Sequence, residues 1–256
     1  MPSERRTDGR SAGQMRDVSI TTGVIEHAEG SVLIKAGDTH VLCTASVEDR
    51  VPQWLRGKAQ GWVTAEYAMI PRATRERTPR EVSRGRPSGR SHEIQRLIGR
   101  ALRAVVDLTT FGEKTIWIDC DVIKADGGTR CASITGAWVA LAQALGWIRE
   151  HGVLVGPPLT GMVAAVSVGI VGGTPVLDLN YDQDSKAAVD MNVVRTDSGE
   201  YVEVQGTAEK NPFSRADLDA LLALADAGTD RLFEIQREAA GDLVRTLVRA
   251  PQERKA

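Results

Sequence analysis

Histidine, cysteine and aromatic residues are scarce in this chain, and their scarcity narrows its chemistry. The four histidines, His27, His40, His92 and His151, are scattered and form no HxxxH or HExxH pair, which weighs against a zinc hydrolase. The three cysteines, Cys43, Cys120 and Cys131, are odd in number, and none belongs to a CxxC pair. That fits reduced thiols in a cytoplasm better than a disulfide framework, with a small buried hydrophobe as the default role of each. Five Trp, three Tyr and three Phe leave few platforms on which a nucleobase could stack. No segment approaches the roughly 18 consecutive apolar residues of a membrane helix. The most apolar runs, near 131–148 and 162–171, are broken by Gly, Ser, Thr or Gln. The opening stretch is polar and lacks the apolar core of a secretion signal, so no membrane association is expected.

A length of 256 residues allows a single unit or two fused halves. With 42% hydrophobic and 26% charged residues the composition is that of a globular protein, and disorder of the whole chain is excluded. The net charge of -2 hides a very uneven distribution. Between Ile70 and Arg103 stand ten arginines, at 72, 75, 77, 80, 84, 86, 90, 96, 100 and 103, against three acids, Glu76, Glu81 and Glu93. This surplus of seven positive charges leaves the rest of the chain at -9. The stripe contains no lysine. Arginine throughout favours planar, bidentate recognition of phosphate, so the backbone of a nucleic acid is a better partner than its base sequence.

The first half of the stripe, 71–91, holds Pro71, Pro79, Pro87, Gly85 and Gly89 and reads as a long loop, of a length that is usually either functional or disordered. The second half is a helix, because Ile94, Leu97, Ile98, Ala101, Leu102 and Val105 follow a 3.6-residue period, with Ser91 as its expected cap and Arg96, Arg100 and Arg103 opposite the apolar face. Upstream, Val32–Ala36 and Val41–Val47 flank Gly37 as a hairpin, and 62–70 reads as a strand ending at Pro71. A strand over 115–123 leads into a helix from Cys131 to about Arg149. After Pro157 and Pro158 come strands over Met162–Val171, Pro175–Tyr181, Ala188–Thr196 and Tyr201–Gly206. Two helices are expected to close the chain, the first capped by Ser214 and the second starting at Thr229 or Asp230. Strands followed by helices in both halves suggest a duplicated α+β unit, without a clean sequence repeat.

Three constellations carry chemistry. Asp126-Gly127-Gly128-Thr129-Arg130 joins a strand to a long helix, where free N–H groups, a positive dipole end, two glycines, a hydroxyl and a guanidinium make a phosphate-sized anion site. It is neither a Walker A loop nor GxGxxG, and a plain strand-to-helix turn capped by Thr129 stays open. Gly85-Arg86-Pro87-Ser88-Gly89-Arg90-Ser91 sets a second arginine at a helix start, or is an exposed basic turn. Asp178, Asp182, Asp184 and Asp190, with Asn180 and Asn192, gather around what reads as a hairpin bend. Clustered carboxylates hold Mg²⁺ or keep a proton for acid catalysis, while a solvated acidic loop is the plain alternative.

At full length these stretches are recognisable. Arg6-Thr-Asp-Gly-Arg10, Ser46-Val-Glu-Asp-Arg-Val-Pro52, Pro71-Arg-Ala-Thr74, the run from Ser88 to Arg100, the run from Asp119 to Arg130, Asp190-Met-Asn-Val193 and Glu203-Val-Gln-Gly-Thr207 together resemble the bacterial ribonuclease PH family from about Arg6 to Gly241. The resemblance implies an α+β ribonuclease PH fold (S5 domain 2-like), with two βαβα-like halves about a pseudo-twofold. The expected layout is a polar segment over 1–16, frayed or partly ordered, one domain over 17–248 with halves at about 17–152 and 159–248, and a polar tail over 249–256. The resemblance also implies a cytoplasmic homo-hexamer, a trimer of dimers, that trims tRNA precursors and other RNA 3′ ends with inorganic phosphate as co-substrate. Phosphate is then assigned to Arg90, Gly128, Thr129 and Arg130, and RNA to Arg72, Arg77 and Arg80. Asp184 and Asp190 are assigned to catalysis as Mg²⁺ ligands or proton donors. Ser91-His92 departs from the family's usual residues there, which bears on capping. A non-catalytic ring subunit and a metal-dependent hydrolytic nuclease are the rival classes; the first usually lacks this arginine and aspartate set, and the second needs no site for free phosphate.

Overall fold

Strict alternation of apolar residues builds the first sheet. In the computed structural model, which describes residues 6, 8–152, 154–209 and 211–250, Val32 and Ile34 of β2 (Gly30–Ala36) are buried on one face with Val41, Cys43 and Ala45 of β3 (Thr39–Glu48). Ile116, Ile118, Cys120 and Val122 of β5 (Thr115–Lys124) join them, each two residues from the last as a pleated strand demands. The sheet order is β1-β2-β3-β5-β4, with β1 at Val18–Thr22 and β4 at Trp62–Met69. Only β4 and β5 run parallel, and the connection between them contains α1 (Gly89–Arg103), a βαβ crossover. The second sheet, β7-β6-β8-β9, is antiparallel throughout, from β6 (Val163–Val171), β7 (Thr174–Leu177), β8 (Val189–Thr196) and β9 (Tyr201–Ala208).

Between the sheets lies α2 (Thr129–Glu150), which packs on β2, β3 and β6 and on α4 (Arg215–Ala240). A helix enclosed on every side is apolar on every side. By length and composition α2 could cross a bilayer, yet nearly all of it is buried inside the protein. Its Trp138 is wholly buried and donates from Nε1 to the Gly161 carbonyl at 3.2 Å. Gln236 of α4 donates to the carbonyls of Thr135 in α2 and Val163 in β6, at 2.9 and 3.0 Å. One apolar cluster therefore runs from Val32 to Leu247 through both halves.

The structure corrects several local expectations. The helix after the arginine loop is capped by Ser88, whose side chain accepts from the Ser91 amide, while the Ser91 hydroxyl donates to Glu81. The segment expected as a strand to Tyr181 ends at Leu177 and gives way to a one-turn helix, α3 (Tyr181–Asp184), closed by a capping box between Asn180 and Gln183. The chain does not break at Thr229. That hydroxyl donates back to Ala225 at 2.9 Å inside the continuous α4, and only the short α5 (Asp242–Leu247) follows. Strand β1 has no counterpart in the sequence reading because it is a half-exposed edge of five residues, VSITT. In the polar segment before it, Arg6, Arg10 and Arg16 are held by contacts described below.

Removing the central ring should cost both halves at once. Trp138→Ala is expected to lower stability by about 3–5 kcal/mol in a single cooperative urea transition; two separate transitions would show that the halves do not share one core.

Candidate active site

The connection from β5 to α2 is dictated by space. Gly127 and Gly128 both adopt positive φ, 75° and 66°, a conformation that favours glycine. A Cβ on Gly127 would sit 2.7 Å from the Leu179 carbonyl oxygen and 2.8 Å from the Asn180 carbonyl carbon, so only glycine lets this turn lie against the 179–181 backbone. Gly128 is the N-cap of α2, so Thr129 is the first helical residue and not the cap. No side chain caps that helix start. Its leading N–H groups and dipole end are available to an anion.

What holds the turn is a buried ion cluster. Asp178, 5% exposed and itself at a φ of 55°, accepts from the Arg16 guanidinium at 2.7 and 2.9 Å, from the Arg16 amide at 2.8 Å and from Arg10 at 3.2 Å. Arg6 and Arg10 also donate to its main-chain carbonyl, at 2.8 and 3.0 Å. Burial by itself would raise the Asp178 carboxyl; the hydrogen bonds and charge of Arg16, aided by Arg10, outweigh it and hold the group below the ordinary carboxylate value. The same Arg16 guanidinium donates to the carbonyls of Asp126 and Gly127, at 2.5 and 3.5 Å. Thr39 completes the support, its hydroxyl donating to the Gly127 carbonyl at 2.7 Å and accepting from the Asp126 amide at 3.0 Å.

Above this support is a cavity of about 330 Å³ into which Arg90, Gly128, Thr129, Arg130, Asp184 and Asp190 all open. All six residues assigned to catalysis and phosphate thus meet at one place, drawn from α1, the β5–α2 turn, α3 and β8. Arg90 is the second residue of α1, exposed at its start. Arg130 is aimed by the Glu93 carboxylate of α1 at 3.5 Å and by the side-chain amide oxygen Oε1 of Gln205 in β9. The Thr129 hydroxyl lies 2.9 Å from the phenol of Tyr67. In the same cavity the carboxyl groups of Asp184 and Asp190 are neighbours, near enough for each to perturb the other. Burial pushes Asp190 up to about 6, the negative charge of Asp184 pushes it the same way, and Arg130 pulls against both. Burial also raises Asp184, against the pull of Arg90 and Arg130.

Such a pair is short of positive charge. Among the described residues no group of three His, Cys, Asp or Glu gathers to hold a metal ion. Two carboxylates are nonetheless the share of the ligand set that a protein commonly gives Mg²⁺, so the donors fit that ion.

The other acids of the cluster are elsewhere. Asp178 is consumed by arginine, and Asp182 faces outward, 4.0 Å from the exposed Arg75. Arg72, Arg77 and Arg80 are exposed on the loop after β4, outside the cavity's lining. Further along the stripe, Arg100 pairs with Glu203 of β9, and Arg103 donates to the Val63 carbonyl at 2.8 Å while lying 4.4 Å from the Trp62 ring centre. These two build the fold. Arg16, Thr39, Tyr67 and Gln205 escaped the sequence reading as site residues. The motifs containing Arg10 and Gln205 were visible as strings, but their partners stand in distant elements.

Comparison with known proteins agrees with this picture. Residues 14–145 match domain 1 of the 3′ exoribonuclease family and residues 161–228 match domain 2. The chain is 60% identical over 233 residues to a ribonuclease PH of Solibacter usitatus strain Ellin6076, covering 91% of this chain and 98% of that one. Among solved structures it resembles rice (Oryza sativa) Rrp46, with a TM-score of 0.74 at 20% identity over 91% of this chain and 98% of the other. It also resembles an Archaeoglobus fulgidus exosome with RNA bound to the active site, with a TM-score of 0.76 at 24% identity over 90% and 92%. At those identities the likeness concerns the fold.

Loss of the buried carboxylate should be costly and pH-dependent. Asp178→Asn is expected to destabilise by about 3–5 kcal/mol by taking from the buried Arg16 its closest charge partner and from Arg10 one of two, Asp8 remaining at 2.7 Å. The depressed Asp178 contributes fully above the unfolded aspartate value of about 3.9, and loses its contribution as pH falls through its lower folded value. Urea midpoints of wild type and Asp178→Asn should therefore stand apart at pH 7 and draw together below about pH 4; a pH-independent gap would contradict the charge assignment.

Proposed function

The chain belongs to the ribonuclease PH family of 3′ exoribonucleases, and on that premise we propose how its residues carry out phosphate-dependent removal of nucleotides from RNA 3′ ends. The observation that carries the reading is the meeting of an anion site and a carboxylate pair in one cavity. Inorganic phosphate rests on the N–H groups at Gly128 and Thr129 and between Arg90 and Arg130. One of its oxygens attacks the phosphorus that links the last nucleotide. The bond from that phosphorus to the 3′-oxygen of the preceding nucleotide breaks. The products are a nucleoside 5′-diphosphate and an RNA one residue shorter, ending in a 3′-hydroxyl.

Two anions must approach one another, and the arginines offset that repulsion in a site where water screens little. The departing 3′-oxygen needs a proton or a cation. Asp190, raised to about 6 beside Asp184, is a carboxyl that can keep a proton near neutral pH. Alternatively Asp184 and Asp190 hold Mg²⁺, which when bound neutralises charge on the leaving oxygen. Tight packing of Arg130 against Glu93 and Gln205 fixes its guanidinium before substrate arrives, so little reorganisation is needed. A phosphoester is exchanged for a phosphoanhydride, and excess nucleoside diphosphate drives the reverse extension.

Arg72, Arg77 and Arg80 extend the positive field outward and hold the backbone of the tRNA precursor, trimmed beyond its CCA end. Assembly as a homo-hexameric trimer of dimers in the cytoplasm would bring such loops together and raise the local positive potential.

The deciding assay is digestion of a 3′-extended tRNA with Mg²⁺, with and without phosphate. Phosphate-dependent release of nucleoside diphosphates is expected; phosphate-independent release of monophosphates would overturn the mechanism. Arg90→Ala and Arg130→Ala should each raise the KM for phosphate at least tenfold while tRNA binding stays near wild type. Arg77→Ala should instead weaken tRNA binding and lower the slope of its salt dependence by about one contact. Equal loss of tRNA binding in all three would refute the division of roles.

A further inference from the structure

Aromatic side chains are few in this protein; Trp54, Trp147 and Tyr201 are exposed outside the cavity's lining, and all the others but one are buried or partly buried. Trp138, Phe111 and Phe233 are fully buried, Tyr67 is buried against Thr129, and Trp62 lies under Arg103. Tyr181 departs from that pattern. It is 56% exposed, and it is the one aromatic side chain among the described residues that line the catalytic cavity. Its hydroxyl makes no hydrogen bond among the described residues. Among the described residues no aromatic or cation–π contact engages the ring.

Its backbone, by contrast, is held firmly. Tyr181 opens α3, which the Asn180–Gln183 capping box closes, and its amide donates to the Asp126 carboxylate at 3.3 Å. The Gly127 turn lies directly against its amide, 2.9 Å from where a Cβ would be. Asp184 stands three residues further along the same helical turn, so the ring and the catalytic carboxylate project from one face. Met69 and Ala125 supply the other apolar lining. A volume of about 330 Å³ is at the lower limit for small-molecule sites, more than an anion needs and enough for one nucleotide unit to enter.

We propose that Tyr181 is the platform on which the base of the RNA's 3′-terminal nucleotide stacks, setting its phosphorus between the bound phosphate and the Asp184–Asp190 pair. The proposal rests on the phosphorolytic reading above and adds a substrate contact to it. A π-face accepts every base, so the contact orients the terminal nucleotide without selecting it, as an enzyme removing successive residues requires. The rest of the lining is the apolar Met69 and Ala125, the polar Thr74, Ser167 and Asn192, Gly127 of the turn, and the groups assigned to phosphate and the carboxylates, none of them aromatic.

The test needs no turnover. Without phosphate, an RNA carrying 2-aminopurine at its last position should lose fluorescence on binding wild type and Tyr181→Phe, and should keep it on binding Tyr181→Ala. The same fluorophore one position upstream should respond equally to all three proteins. With phosphate, Tyr181→Ala should raise the KM for RNA about tenfold for all four terminal bases, leave the KM for phosphate unchanged, and recover in Tyr181→Phe. Unchanged quenching in Tyr181→Ala, or a Tyr181→Ala effect confined to the upstream position, would overturn the proposal. If Tyr181→Phe loses as much as Tyr181→Ala, the hydroxyl and not the ring is the working group, and the proposal also fails. Release of monophosphates without phosphate would sink the phosphorolytic reading separately, since the quenching comparison is scored on binding alone. Because the ring is exposed, thermal unfolding of the variants should match wild type.

Discussion

Everything at the active site depends on one buried carboxylate. Asp178 comes from the second half of the chain, Arg10 and Arg16 from before the first sheet, and the turn they support joins β5 to α2. Burying an aspartate so deeply is unfavourable unless its lone pairs are filled, and here they accept from two guanidinium groups and a backbone amide. Its positive φ adds a strain that persists only where the surroundings over-determine the conformation. The return on these costs is geometric. Arg16 carries the order of the ion cluster directly into the carbonyls of Asp126 and Gly127, and so into the turn whose other side presents its N–H groups to an anion.

The cavity above that turn keeps opposite charges close without cancelling them. Arg90 and Arg130 line it together with the Asp184–Asp190 pair. Arg130 is engaged by Glu93 and Gln205, and among the described residues no ion pair joins either arginine to Asp184 or Asp190. The chemistry needs this division, because the nucleophile is an anion that wants arginine and the leaving oxygen wants a proton or a metal. Gln205 shows how the halves cooperate: a strand of the second sheet orients an arginine at the start of the central helix.

Much of the fold was legible because its signals are local. The two-residue alternation in β3 and β5, the helical stripe of α1 and the glycine pair before α2 each express a rule of backbone geometry that acts over a few residues. Misreadings arose where tertiary contacts decide. Thr229 looks like a helix start, but its hydroxyl is satisfied one turn back and beside Arg195, so α4 continues. Ser91 looks like a cap, yet Ser88 takes that place once Glu81 from the loop occupies the Ser91 hydroxyl. Strand β1 carries too little apolar alternation to be read alone and exists because β2 offers it an edge.

The kinds of groups at work stand in the order of residues along the chain: an anion-binding turn, an arginine stripe without lysine, and a run of acids. Those follow from residue type and spacing, which short-range sterics and charge translate directly. Only the tertiary structure decided which acids are free to act. Asp178 and Asp184 lie six residues apart in one acidic segment, yet the first is neutralised by an arginine 162 residues away and the second faces the cavity beside Asp190. The desolvation and pairing of a charge depend on whatever packs around it: for Asp178 the arginines arrive from the start of the chain, and for Asp184 the neighbours are Asp190, Arg90 and Arg130.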